Sequence, residues 1–156
     1  MKKMMFVVLL LVGAGVTTLF ASDDVNPLAR RTFDKQFPDA LFVKWEKITN
    51  SDTYMVRFVY NNQVLISYID EKGDVLATAR TIEVEQLPFM ANEILSRRFT
   101  GFRITMVEEL NTASEVSYFA TMENDKITQY VRIYNNGTAE VLKKGKKRQE
   151  LQLEKK

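Results

Sequence analysis

Between Val25 and Phe37 the apolar residues Val25, Ala29, Phe33 and Phe37 fall every fourth position, with Arg30, Arg31, Asp34 and Lys35 between them. On a helix that spacing makes one apolar stripe. Asn26 is placed to cap it and Pro27 fits its first turn. Pro38 ends it, because proline lacks an N–H and forces the preceding residue out of the α region. The pattern then shifts to the period of two that marks strands, predicted over 41–47, 54–60, 63–69 and 75–81. Asn61-Asn62 reads as a two-residue hairpin turn. Asp70-Glu71-Lys72-Gly73 reads as a longer one, with Gly73 free to take positive φ.

The same order returns further along. Leu87-Pro88 opens a second helix whose stripe runs through Ala91, Leu95 and Phe99, with Thr100-Gly101 as its stop. Strands are predicted over 102–108, 116–123, 127–134 and 138–142, with turns at Asn124-Asp125 and Asn135-Asn136-Gly137. Phe37, Phe42 and Trp45 match Phe99, Ile104 and Val107 at an offset of 62, and Tyr54 to Gly73 match Tyr118 to Gly137 at 64. Recurrence of helix, stop, strand, Tyr and Gly in one order is the signature of a repeated unit. The expected fold class is α+β: two tandem units, each one helix packed on a four-stranded antiparallel sheet. The boundaries are 22–82 and 83–142, after a signal peptide over 1–21 and before a tail over 143–156.

A two-residue loop at Asn61-Asn62 pairs residues whose numbers sum to 123 and so sorts side chains by face. Tyr54, Val56 and Phe58 with Leu65, Ser67 and Ile69 form one face; Tyr118, Ala120, Met122, Val131 and Ile133 are its second copy. This set is apolar and is expected to pack on the helices. The other face carries Met55, Arg57, Ile66 and Tyr68, then Phe119, Tyr130, Arg132 and Tyr134. Aromatic rings interleaved with guanidinium groups suit a protein- or peptide-binding surface. An ordinary solvated sheet face, where β-formers are enriched anyway, is the competing reading.

Composition narrows the chemistry. With no Cys and no His, the chain has no disulfide, thiol nucleophile or imidazole base, and neither of the commonest soft metal ligands. Glu108 and Glu109 are adjacent in a strand and point to opposite faces, which makes them a poor catalytic pair. Asp70, Glu71 and Asp74 lack the alternating spacing of a calcium loop and read as a plain turn. Neither a cofactor nor a metal is expected, and the chain reads as no enzyme. The formal charge of +2 is uneven: Lys2 and Lys3 supply it all, the stretch 22–142 is acidic, and seven Lys/Arg against two Glu make 143–156 basic. An acidic body excludes the counterion-release mode of nucleic-acid binding.

Lys2-Lys3, an apolar run from Met4 to Val16 and the small Ala21 match a secretory signal, implying a periplasmic or secreted protein with no stable membrane insertion after cleavage. An uncleaved anchor is the alternative, since Met4 to Ala21 is just long enough to span a bilayer. The basic end reads as a solvated, disordered tail, or else as an electrostatic tether.

Phe33, Phe37-Pro38-Asp39-Ala40, Trp45-Glu46, Tyr54-Met55-Val56-Arg57-Phe58 and Asp70-Glu71-Lys72-Gly73 together resemble the PepSY-like and β-lactamase-inhibitor-like family of secreted bacterial proteins. Leu87-Pro88, Ile94, Phe99, Ile104, Tyr118 and Asn136-Gly137 carry a weaker second match, without Trp. The resemblance spans roughly 25–142 and implies helix-plus-sheet units that bind or inhibit other secreted proteins. The matched positions are packing positions, so no inhibitory residue is carried over. The expectation is a non-enzymatic binding or inhibitor-like protein whose partner is a protein or peptide of the cell envelope. A small-ligand carrier with a pocket between sheet and helices, or a structural envelope protein, are the alternatives.

Overall fold

The computed structural model of the chain describes residues 17–19 and 25–146. Helix α1, Pro27–Gln36, begins where the Asn26 side-chain oxygen accepts the Leu28 N–H at 2.8 Å. It stops at Phe37, whose N–H reaches the Phe33 carbonyl at 2.8 Å and whose φ of −130° leaves the helical region. Strands β2 (Leu41–Ile48), β3 (Thr53–Tyr60), β4 (Gln63–Asp70) and β5 (Val75–Ile82) follow. Asn61 and Asn62 both take positive φ, 50° and 60°, the left-handed pair that a two-residue hairpin needs. The β3–β4 register therefore sums to 123, with Tyr54 opposite Ile69 and Phe58 opposite Leu65.

A 3₁₀ turn over Val84–Gln86 leads into α2, Phe89–Arg98, then β6 (Arg103–Thr112), β7 (Val116–Glu123), β8 (Ile127–Tyr134) and β9 (Ala139–Lys146). Pro88 sits at the cap of α2 rather than inside its first turn and makes no side-chain bond there. A three-residue strand, β1 (Thr17–Leu19), pairs antiparallel with the end of β2.

The class is α+β with antiparallel pairing, but the sheet organisation differs from the expectation. The hydrogen-bonded order of the described strands runs β1 to β9 in chain order, rather than dividing into one four-stranded sheet per unit. By contact, one unit holds the described residues up to Thr81 together with Glu108–Val116; the other holds Ile82–Val107 and those from Ser117 onward. Strand β6 is long enough, at 10 residues, to be divided between them. The expected signal peptide lies outside the described residues except for β1. The expected tail is corrected at its start, since 143–146 continue β9; its remainder lies outside the described residues.

In the first unit Val25, Ala29, Phe33 and Phe37 all turn inward. Phe33 meets Trp45 at 5.3 Å and Phe58 at 4.9 Å between ring centroids, the latter edge to face; Phe37 meets Phe58 at 4.6 Å. Trp45 continues to Tyr54 at 5.9 Å, and the Tyr54 hydroxyl accepts the Asn26 N–H at 3.2 Å, tying the helix start to β3. In the second unit Leu87, Ala91, Leu95 and Phe99 pack on Val107, Ala120, Met122, Val131 and Ile133.

Equivalent bonds close equivalent corners. Ala40 N–H to Phe37 O and Phe102 N–H to Phe99 O are both 3.1 Å. Gly73 N–H reaches Asp70 O at 3.0 Å, as Gly137 N–H reaches Tyr134 O at 3.1 Å. Gly73 lies against Leu28 and Thr32 of α1, and Gly137 against Met90 and Ile94 of α2, 62 residues further on. In the first unit Asp70 also holds its turn directly, its Oδ1 accepting the N–H groups of Lys72 and Asp74. That use of the carboxylate accounts for its burial.

Candidate binding face

The helix-free face of the first unit is built from three hairpin rungs. Met55 stands opposite Tyr68, Arg57 opposite Ile66, and Val59 opposite Val64. Strand β2 extends the rungs with Glu46, Lys44 and Leu41, and β5 extends two of them with Ala77 and Ala79. Exposure falls across this face. Leu41 and Val64 are 59% and 55% exposed and Arg57 is exposed; Val59, Met55 and Ile66 are half-buried.

Tyr68, Ala77 and Ala79 are buried, which corrects the expectation that Tyr68 is available to a partner. Ala77 and Ala79 stand across from Tyr68 and Ile66 in β5, and Tyr68 is 1% exposed. Burial pushes the Tyr68 hydroxyl above its ordinary value; the Glu108 carboxylate adds to the shift and the Arg57 guanidinium opposes it.

The second unit behaves similarly. Phe119 stands opposite Arg132, Thr121 opposite Tyr130, and Ser117 opposite Tyr134. Phe119 and Tyr130 are buried and stacked, with centroids 5.5 Å apart and planes 16° apart. Arg132 and Tyr134 are half-buried and engaged: the guanidinium lies 4.3 Å from the Tyr134 ring and donates to Ser117 Oγ at 3.0 Å. The Tyr134 hydroxyl donates to Glu140 at 3.0 Å. Phe119 and Tyr130 are therefore corrected from surface to interior. The reason is general: alternation assigns a side chain to a face, and covering of that face depends on neighbours that local pattern does not contain.

Of the eight predicted residues, the structure leaves Arg57 exposed and Met55, Ile66, Arg132 and Tyr134 partly so. It adds a group that periodicity missed. Between Leu41 and Lys44 the β2–β3 register shifts at a bulge; Phe42 there has φ of 54° and is 81% exposed. Positive φ at a bulky residue is a rare and costly conformation. The sequence signal was the run Leu41-Phe42-Val43, three apolar residues in a row where strict alternation allows two on one face.

Glu109 is tied to Arg80 and Asn111 while Glu108 faces Tyr68, so the adjacent carboxylates do part. No group of three potential ligands could hold a metal ion among the described residues. A cavity of about 280 Å³ is lined by Gly101, Arg103, Glu123, Asn124 and Asp125, all polar or backbone, and its Arg103 and Glu123 pair with each other. No described helix is long and apolar enough to cross a membrane.

The fold is shared with α+β proteins known from solved structures. A DUF2874-family protein from Bacteroides ovatus aligns with a TM-score of 0.68 at 16% identity, covering 80% of this chain and 89% of that one. A BLIP-like protein from Bacteroides fragilis aligns at 0.61 and 16%, covering 78% and 86%. A Bacteroides eggerthii protein described as a candidate periplasmic protein aligns at 0.66 and 12%, covering 78% and 88%. At these identities the likeness is one of fold. No family model and no curated protein matches the sequence.

Proposed function

We propose that the protein is a non-catalytic binding protein of the periplasm or cell exterior, built from a duplicated helix-and-hairpin unit, that engages a protein or peptide through the helix-free face of its first unit. The observation that carries this is the strip Leu41, Val59, Val64 and Ile66 around Arg57, a laterally continuous apolar surface with one exposed guanidinium. Apolar area around an arginine is the composition that concentrates binding energy at protein interfaces. Phe42, held outward at a strained bulge beside Leu41, enlarges the same edge of the unit. The likeness to a BLIP-like fold supports the inhibitor-like direction of this reading, and the likeness to a candidate periplasmic protein supports the location. The PepSY-like half of the sequence resemblance has no counterpart among the structural neighbours reported above. The paired corner bonds at offsets of 62 and 64 support the duplication.

The carrier reading fares less well. In the first unit the space between helix and sheet is filled by Phe33, Phe37, Trp45, Tyr54 and Phe58 in ring contact. A photo-crosslinking residue at position 64, with one at exposed Arg31 on α1 as control, tests the proposal in an envelope extract. A discrete adduct from position 64 alone is expected. No adduct there, or the same adducts from both positions, would contradict it.

A further inference from the structure

We infer that the outer edge of β9 accepts an extended acidic segment of a partner protein as an added strand, with a carboxylate seated at Lys144. The first unit shows what such an arrangement looks like. There β5 is followed in the sheet order by β6, whose Glu108–Thr112 portion belongs to that unit. The contact is fixed by Arg80, whose Nε and Nη2 donate to the two carboxylate oxygens of Glu109 at 3.0 and 3.2 Å. Asn111 Nδ2 adds a third bond to the same carboxylate at 2.8 Å.

Strand β9 is the counterpart of β5 by position. Both begin and end 64 residues apart, at Val75 and Ala139 and at Ile82 and Lys146. Both follow a turn closed by the same pair of backbone bonds. Arg80 stands opposite Leu65, and Lys144 stands opposite Gln129, again 64 further on in both strands. Lys144 thus holds the register position of Arg80. Yet among the described residues β9 is the last strand in the order, with β8 as its one neighbour there. Lys143, Lys144 and Lys146 are exposed along it.

Chemistry selects the occupant. Unpaired strand edges present N–H and C=O groups to any extended chain. Three lysines oppose pairing with a second β9 through like charge, and strand-to-strand specificity often rests on such repulsion. An acidic strand meets no such penalty and neutralises the row. Lysine offers a point charge where arginine offers a bidentate fork, so Lys144 fits a partner carboxylate that binds reversibly.

The test uses the full chain and a fluorescent peptide of its own residues 105–113, TMVEELNTA, with a second peptide carrying lysine at both glutamate positions. Anisotropy at low ionic strength should show saturable binding of the first peptide and none of the second. Lys144→Glu should weaken binding about tenfold or more, and Lys144→Arg should tighten it. Amide exchange should slow along Ala139–Lys146 on binding. Lack of saturation up to about 1 mM, the weak limit of specific recognition, would overturn the inference. So would indifference to Lys144→Glu, or protection of another strand in place of β9. Arg31→Glu, at an exposed position of α1, should leave peptide binding unchanged, which ties binding to the β9 edge rather than to net charge.

Discussion

Arg80 and Glu109 form a two-point hydrogen-bonded ion pair, Nε to Oε1 at 3.0 Å and Nη2 to Oε2 at 3.2 Å, and this pair gives the first unit an acid sensitivity. Partial burial pushes the Glu109 carboxyl up, but the bonds from Arg80 and Asn111 outweigh it and hold the group below its ordinary value of 4.5. A carboxyl depressed in the folded state stabilises above its unfolded value and loses that contribution as pH falls through the folded one. Urea denaturation between pH 6 and pH 3 should therefore show stability falling below about 4.5. Glu109→Gln should be less stable at neutral pH and should fall less steeply with acid.

Tyr68 gives the opposite limb. Its hydroxyl is raised above the ordinary 10.0, chiefly by burial. Above pH 10 the unfolded chain ionises there while the folded chain resists, so stability falls as pH rises. Ultraviolet titration should find a tyrosine signal that appears only as the protein unfolds, and Tyr68→Phe should reduce it.

Gly73 and Gly137 occupy corresponding turns but are not equally replaceable. Both have positive φ, 86° and 82°. A methyl group on Gly73 would lie 2.9 Å from Thr32 Oγ1 and 3.0 Å from the Leu28 carbonyl oxygen, whereas on Gly137 its nearest neighbours are side-chain carbons at 3.7 and 3.8 Å. Gly137→Ala should cost about 1–2 kcal/mol from the left-handed conformation alone. Gly73→Ala should cost that plus a further ~1–3 kcal/mol for overpacking. Equal losses in chemical denaturation would show that the α1 contact carries no weight.

Trp45→Ala should destabilise by about 3–5 kcal/mol, because it empties a buried site against Phe33 and Tyr54. Tyr130→Ala should cost about 3 kcal/mol or more through loss of its stack on Phe119, while Tyr134→Ala, at a half-buried position, should cost less. Urea midpoints of the three variants check the ranking.

These residues also mark how far local pattern reaches. The stripe Val25, Ala29, Phe33, Phe37 and the hairpin register were legible because helix and strand periods are set by backbone geometry. Asn61-Asn62 fixed the register outright, and with it the face of every β3 and β4 side chain. What stayed illegible was covering. Tyr68, Phe119 and Tyr130 alternate onto the same hairpin faces as Arg57 and Arg132, yet all three are buried while Arg57 is exposed, a difference that alternation does not carry. The bulge at Phe42 was hidden for another reason: it breaks the strand period of two. The division of β6 between the two units follows from its length and partners, neither of which a repeat offset contains.

Val56 and Val64 sit on opposite faces of the same hairpin, one toward α1 and one on the proposed binding surface. Val56 is fully buried against α1 residues and Val64 is 55% exposed. The decisive measurement compares thermal melting and partner crosslinking for Val56→Asp and Val64→Asp. An unpaired charge at 56 should unfold the protein. At 64 the melting temperature should stay within a few degrees of wild type, as about 0.5 kcal/mol or less is expected at an exposed position, while the crosslinked adduct is lost. A protein that tolerates aspartate at 56 or unfolds with it at 64, or that keeps its adduct with Val64→Asp, would contradict the account.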